Sequence, residues 1–410
     1  MQMQQAIGPT QQPAFTVRYE AGLIALMFFL WGVVFLDRMS QLYLMPYIAK
    51  DLALTDKDVG ALTSAMAVSW AVSSLLFGVL SDRIGRKIVL VPLTIIFSLL
   101  SGLSGLAGGF GELLCIRAAM GAAEGPCWSV MNALVEQSSR PSHRGRNVGI
   151  VVSAGALIGL AVAPVLTTQI AARVGWRLAF LVAGAPGLLL AGLMTSYVRE
   201  PARPAPVAAG EPMAGGVLRM LHHRNVWLCA LAAAGFMSWL FVQNAFAPLY
   251  MTRVEHLDPR TAGLLLGAAG LGSFVLGILA PALSDRFGRR AVLAAMGLLS
   301  TLLPLAILIH GLYVHLWLLA LILFVTQGGQ AIAALAIVVI PAESVPAGAV
   351  GAAIGLVTLV GEVVGGTAAP LAAGWLADAR GLGMPLWIAA GASLVVFLAA
   401  LSMSSVEEAA

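Results

Sequence analysis

The sequence predicts an all-α membrane protein of twelve transmembrane helices in two pseudo-symmetric bundles of six, and three observations carry that prediction. Of 410 residues, 60% are hydrophobic and only 10% charged, with a mean hydropathy of +0.92, far from the roughly 25% charged of a soluble domain. Apolar runs of about 20 residues, the length that crosses a bilayer, recur twelve times. GVLSDRIGRK at 78–87 returns as PALSDRFGRR at 281–290, an offset of 285 − 82 = 203, so the second six runs repeat the first.

The polar stretch 1–20 has no cationic lead into a short apolar core and is expected to stay as a cytoplasmic tail. Runs at 21–48, 60–81, 88–108, 112–137, 147–171 and 176–197 form a first bundle, 21–198. The segment 199–224 (REPARPAPVAAGEPMAGGVLRMLHHR) has four prolines and no spanning run, and reads as a cytoplasmic linker. Runs at 225–250, 261–281, 291–309, 315–340, 350–376 and 384–403 form the second bundle, 225–403, and 404–410 a cytoplasmic tail. With both termini inside, inner loops collect fourteen Lys and Arg and outer loops seven, the bias of a multi-pass protein of the cell (inner) membrane.

Several function classes drop out. The net charge of +4 is scattered over short loops, which excludes a nucleic-acid face. Cys115, Cys127 and Cys229 sit in apolar segments without metal-ligand spacing, so no metal is expected. No G-x-x-x-x-G-K-[ST] motif or supported Ser-His-Asp set is present. The chain therefore reads as no enzyme, without catalytic residues or cofactor, and without nucleotide hydrolysis as an energy source.

The first span carries Asp37 and Arg38 side by side, at a cost of at least about 2.5 kcal/mol for a charge at mid-membrane. In the fourth span Arg117 and Glu124 are seven residues apart, on one face with Gly121 between them. Counting about 1.5 Å per residue, Asp37 and Glu124 lie at one level, about 17–18 Å from the outer helix ends, and Arg117 about 10 Å further out. A four-membered set of two acids and two arginines follows. Adjacent helical residues point about 100° apart, so one of Asp37 and Arg38 addresses helix four and the other the cavity. A carboxylate beside an arginine keeps its charge, and drawing that arginine to a bound anion lets it take a proton.

Glu362 falls at mid-membrane in helix eleven, flanked by Gly361, Gly365 and Gly366. It reads as a third protonatable group, as a contact for an amine or hydroxyl-bearing substrate, or as a structural acid. Further cavity candidates are Gln41, Gln243, Asn244, Gln327, Gln330 and Trp239. Trp176, Trp227, Trp317 and Trp387 lie near helix ends and are expected at the interface.

Twelve spans, the 6+6 repeat and the G-x-L-x-D-R-x-G-R-[KR] loop resemble the major facilitator superfamily across essentially the whole chain. That resemblance implies alternating access, a monomer, and gating by Gly78, Asp82, Arg83, Arg86, Asp285, Arg286 and Arg289. Asp37-Arg38 together with R-x-x-x-G-x-x-E-G in helix four resembles the anion:cation symporter branch. It implies proton-coupled uptake of a small organic anion such as a sugar acid, with Arg38 on the substrate carboxylate, Asp37 and Glu124 carrying protons and Arg117 in their network. Glu362 departs from that branch, where an uncharged amide is expected. The alternative is a proton-coupled exporter of a cationic, zwitterionic or lipid-like compound, since the same charges also resemble Spinster-type exporters and drug/proton antiporters.

Overall fold

A computed structural model of the protein describes residues 16–200, 223–346 and 349–404. Most of the expected tails and linker lies outside these residues. Within them the chain forms α1 (Val17–Asp51), α2 (Asp56–Ile84), α3 (Arg86–Ser104), α4 (Phe110–Ser138), α5 (Arg144–Val174), α6 (Trp176–Tyr197), α7 (Arg224–Arg253), α8 (Pro259–Phe287), α9 (Arg289–Ile307), α10 (Leu316–Glu343), α11 (Val350–Arg380) and α12 (Gly383–Ser402). Eleven are long and apolar enough to cross a membrane; the twelfth, α4, carries Glu112, Arg117, Glu124 and Glu136 and packs on α2 and α3. No strand occurs among the described residues.

The turns repeat as the sequence does. Gly85, Gly175, Gly288 and Gly381 have φ of 112°, 89°, 86° and 91°, in pairs 203 and 206 residues apart, and each reverses the chain between consecutive helices where a side chain would be strained. In α5 and α11 the α-helix widens to π-helix at Gly155–Val162 and Gly361–Ala368. Both stretches end at an Ala-Pro pair, Ala163-Pro164 and Ala369-Pro370, whose proline lacks the N–H that would close the preceding turn. In α10 the helix breaks at Gln327-Gly328 and continues through a third π stretch, Ala333–Val339, ahead of Pro341.

The first six and last six helices meet where α1 packs on α7 and along two further seams. The second part of α5 packs on α8, and the second part of α11 on α2. Gly60 of α2 and Gly374 of α11 bring these backbones so close that a Cβ on either would strike the other helix, at Pro370 and at Asp56. Such small-residue contacts substitute for the hydrophobic drive that lipid does not supply. The first parts, Arg144–Ala154 and Val350–Val360, pack chiefly within their own halves. The halves are thus joined at the end carrying Asp51–Asp56 and Arg253–Pro259, here called the closed end, and part toward the open end carrying Gly85 and Gly288.

Trp227, Trp317 and Trp387 are exposed at helix ends. Trp176 corrects the expectation: it is buried and donates its indole N–H to Asp51 at 3.0 Å, tying α6 to the end of α1.

Candidate functional site

Asp37 and Arg38 diverge, as adjacent helical residues must. Asp37 turns into the first half, fully buried, where its Oδ1 accepts a hydrogen bond from Ser101 of α3 at 2.6 Å and its Oδ2 has no protein partner. Arg38 turns to the seam between the halves. Its Nη2 lies 3.4 Å from Glu362 Oε2 of α11, and its guanidinium carbon stands 4.6 Å from the Phe241 ring of α7 and 5.0 Å from the Trp70 ring of α2. Aromatic faces suit a desolvated guanidinium, so this cation is shared by four helices from both halves.

Arg117 and Glu124 occupy the interior of the first half. The Arg117 guanidinium sits 4.6 Å over the Phe180 ring of α6, its Nη1 is 3.3 Å from Met120 Sδ, and its Nε and Nη2 have no partner. Glu124 is fully buried, both oxygens unpartnered, within electrostatic reach of Asp37, Arg38 and Arg117. The expected set of four is therefore an electrostatic cluster in which no ion pair within 4 Å is found among the described residues. The short-range ion pair is Arg38–Glu362, and Asp37 hydrogen-bonds α3 instead of α4.

With Glu362 the centre holds two arginines and three acids, so full ionisation would leave 2 − 3 = −1. A bare charge in a low-dielectric interior costs several kcal/mol even after relaxation. The centre is neutral when one acid is protonated, and a bound monoanion shifts the neutral count to two.

Pro46 and Pro248 define an offset of 202 between α1 and α7, which carries Gln41 onto Gln243 and Asp37 onto Trp239. Trp239 is fully buried; its indole N–H donates to the Ser300 carbonyl of α9 at 3.0 Å and its ring abuts Gly329 of α10. Trp239 thus lies against both α9 and α10. The first half keeps an acid and a serine where the second half is plugged by an indole.

Among the other candidates, Gln41 Nε2, both polar atoms of Gln243 and Gln327 Oε1 are buried without partners, and Gln327 stands at the α10 break. Asn244 accepts from the Tyr43 hydroxyl at 2.9 Å, a second tie across the halves, and donates to the Leu240 carbonyl at 2.7 Å.

At the open end the Asp82 side chain lies outside the described residues. Gly78 faces Ser129 of α4, and Arg83 is exposed. Arg86 is buried, and Glu200 accepts the backbone N–H groups of Arg86 and Lys87 at 2.6 and 2.9 Å, capping α3. In the second half Arg289 pairs with Asp285 and, at 3.1 Å, with Glu343, while Arg286 stacks 5.6 Å over Phe287. These contacts tie helices within one half.

At the closed end Asp378 of α11 accepts the N–H groups of Asp56 and Lys57 at the start of α2, at 2.9 and 3.0 Å, and Arg253 pairs with Asp56 at 2.9 Å. Ser101, Phe241, Tyr43 and Asp378 were not singled out from the sequence; the 202 offset is the signal that aligns Gln243 with Gln41 and Trp239 with Asp37. Among the described residues no cluster of His, Cys, Asp and Glu is arranged to hold a metal ion.

The family model of the Major Facilitator Superfamily matches residues 27–258 and 232–409. The chain is 30% identical over 268 residues to the hexuronate transporter of Bacillus subtilis (strain 168), covering 62% of this chain and 63% of that protein. It is 27% identical over 286 residues to a probable L-galactonate transporter of Escherichia coli (strain K12), covering 64% and 62%. The matched stretches thus span slightly less than two thirds of these relatives. The fold is similar to the crystal structure of a bacterial homolog of the human lysosomal transporter Spinster, inward-facing and unoccupied, with a TM-score of 0.74 at 18% identity, covering 94% of this chain and 98% of that one.

Proposed function

The chain belongs to the Major Facilitator Superfamily, and from that premise we propose that it is a secondary transporter importing a small organic anion together with protons. The observation that carries the reading is Arg38, a buried cation at the seam of the two halves, clasped by two aromatic rings and one carboxylate. A guanidinium there can pair with a substrate carboxylate and keep to it as the halves rock about the site. The named substrates of the two relatives, a hexuronate and L-galactonate, are sugar acids, and the unpartnered amide atoms of Gln41, Gln243 and Gln327 offer partners for hydroxyl groups.

Asp37 and Glu124, held near Arg117 inside the first half, carry protons. The charge count favours symport, because each monoanion raises by one the number of protonated acids at which the centre is neutral. By the positive-inside bias both termini are cytoplasmic in the inner membrane, so the closed end faces outward and the open end the cytoplasm. The loops at Asp82 and Asp285 then act as gates that latch when the cytoplasmic side shuts. A second reading, proton-driven export of a cationic or zwitterionic compound, draws on Glu362 as a third carboxylate.

Counterflow of a labelled hexuronate in proteoliposomes tests the reading. Wild type exchanges the label, Arg38→Ala does not, and Arg38→Lys is strongly impaired because lysine lacks the planar fork. Normal exchange by Arg38→Ala removes the proposed grip.

A further inference from the structure

We propose that Glu362 is a built-in surrogate for the substrate's carboxylate: in the empty carrier it occupies Arg38, and an arriving anion displaces it, the released Glu362 carboxylate taking one proton from the open, water-facing side. The inference rests on the anion-transport reading above and assigns the event that couples binding to proton uptake.

Four observations carry it. Arg38–Glu362 is the one ion pair among the described residues that joins the halves inside the membrane, and both side chains are nearly enclosed, at 6% and 4% exposure. Its geometry is poor for such a pair: a single Nη2 contact at 3.4 Å, where a good guanidinium–carboxylate pair is bidentate at about 2.7–2.9 Å. A free carboxylate can therefore make the better bond.

Glu362 also has local freedom. It stands on the π turn Gly361–Ala368, and Gly366 leaves open the space beside it, since a Cβ there would come within 2.6 Å of Glu362 Oε2. Ser64, Ala67 and Trp70 of α2 and Ser238 and Phe241 of α7 are the uncharged residues at this level, and the charged residues of both helices lie toward their ends. Arg38 is thus the cation that faces Glu362, and Glu124 reaches Arg38 from α4.

Charge completes the argument. Two carboxylates on one buried guanidinium leave a net negative charge in a low-dielectric site, so the anion and an ionised Glu362 exclude one another. Protonation turns Glu362 from competitor into neutral neighbour, and the anion binds with one proton.

The test is titration calorimetry of the full-length protein with galacturonate, glucuronate and gluconate, in buffers of different ionisation enthalpy, which counts protons taken up per anion bound. Wild type is expected to take up about one proton per anion and to bind more weakly as pH rises from about 6 to 8. Glu362→Gln is expected to bind about tenfold or more tightly at the upper pH, to take up about one proton fewer, and to lose the pH slope. Glu362→Asp, which keeps the carboxylate, retains the proton count. An unchanged proton count and affinity in Glu362→Gln, with binding abolished in Arg38→Ala, overturns this inference and leaves the transport reading standing. Undiminished binding by Arg38→Ala, or no binding of any of the three acids by wild type, overturns the reading beneath it.

Discussion

Tyr43→Phe removes one hydroxyl and should move the whole carrier. The Tyr43 hydroxyl donates to Asn244 Oδ1 at 2.9 Å, and both residues are buried, 2% and 3% exposed, at the seam where α1 meets α7. Phenylalanine fills the same space but leaves that oxygen without a donor, while the Asn244 amide stays on the Leu240 carbonyl. An orphaned buried acceptor costs about 1–3 kcal/mol, and the cost falls only on the form in which the halves are joined, since separation lets water reach Asn244. The closed end should therefore open more often by a factor of about 5 to 150. Spin labels at Val174 and Val254, both exposed beside the closed end, read that population as a distance distribution. Asn244→Leu should shift it too, and the double variant should fall short of the sum of the two because they remove one contact. An unchanged distribution in Tyr43→Phe, or strict additivity, would refute the claim that this bond holds the halves together.

The clasp at the closed end gives two more outcomes by the same measurement. Asp378→Ala strips the acceptor from the first N–H groups of α2, a cap-like contact worth about 1 kcal/mol, so the closed-to-open ratio should fall about fivefold. Arg253 pairs with Asp56 across the same joint at 2.9 Å. Asp56→Asn leaves that guanidinium without its carboxylate, so the closed-to-open ratio should fall as well; an unchanged ratio would exclude the pair from the clasp.

Much of the fold was legible because membrane helices must satisfy their backbone internally and declare themselves by length. The run expected at 21–48 appears as Val17–Asp51 and that at 176–197 as Trp176–Tyr197. The break in α10 was hidden because the apolar run 315–340 continues through Gln327-Gly328, and hydropathy does not register a lost hydrogen-bonded turn. At the site the paired charges stood out, since each is expensive in lipid. Their partners did not. Ser101 resembles any serine folded back on its own helix, as Ser98 and Ser104 are, and the Arg38–Glu362 contact depends on how two halves pack across 324 residues of sequence. The correspondence of Trp239 with Asp37 was obscured by register: the loop repeat gives an offset of 203, whereas α1 and α7 align at 202 through their prolines, and only the latter sets Trp239 at the position of Asp37.

The central claim, that an anion gripped by Arg38 moves together with a proton taken up by the acids of its centre, Asp37, Glu124 and Glu362, is tested most directly by uptake of a labelled hexuronate into proteoliposomes under an imposed pH gradient, acid outside. The account predicts that wild type accumulates the label above its external concentration and loses it when the gradient is collapsed, while Asp37→Asn and Glu124→Gln exchange label without accumulating it. Equal accumulation with and without the gradient, or gradient-driven accumulation that survives both substitutions, would contradict it.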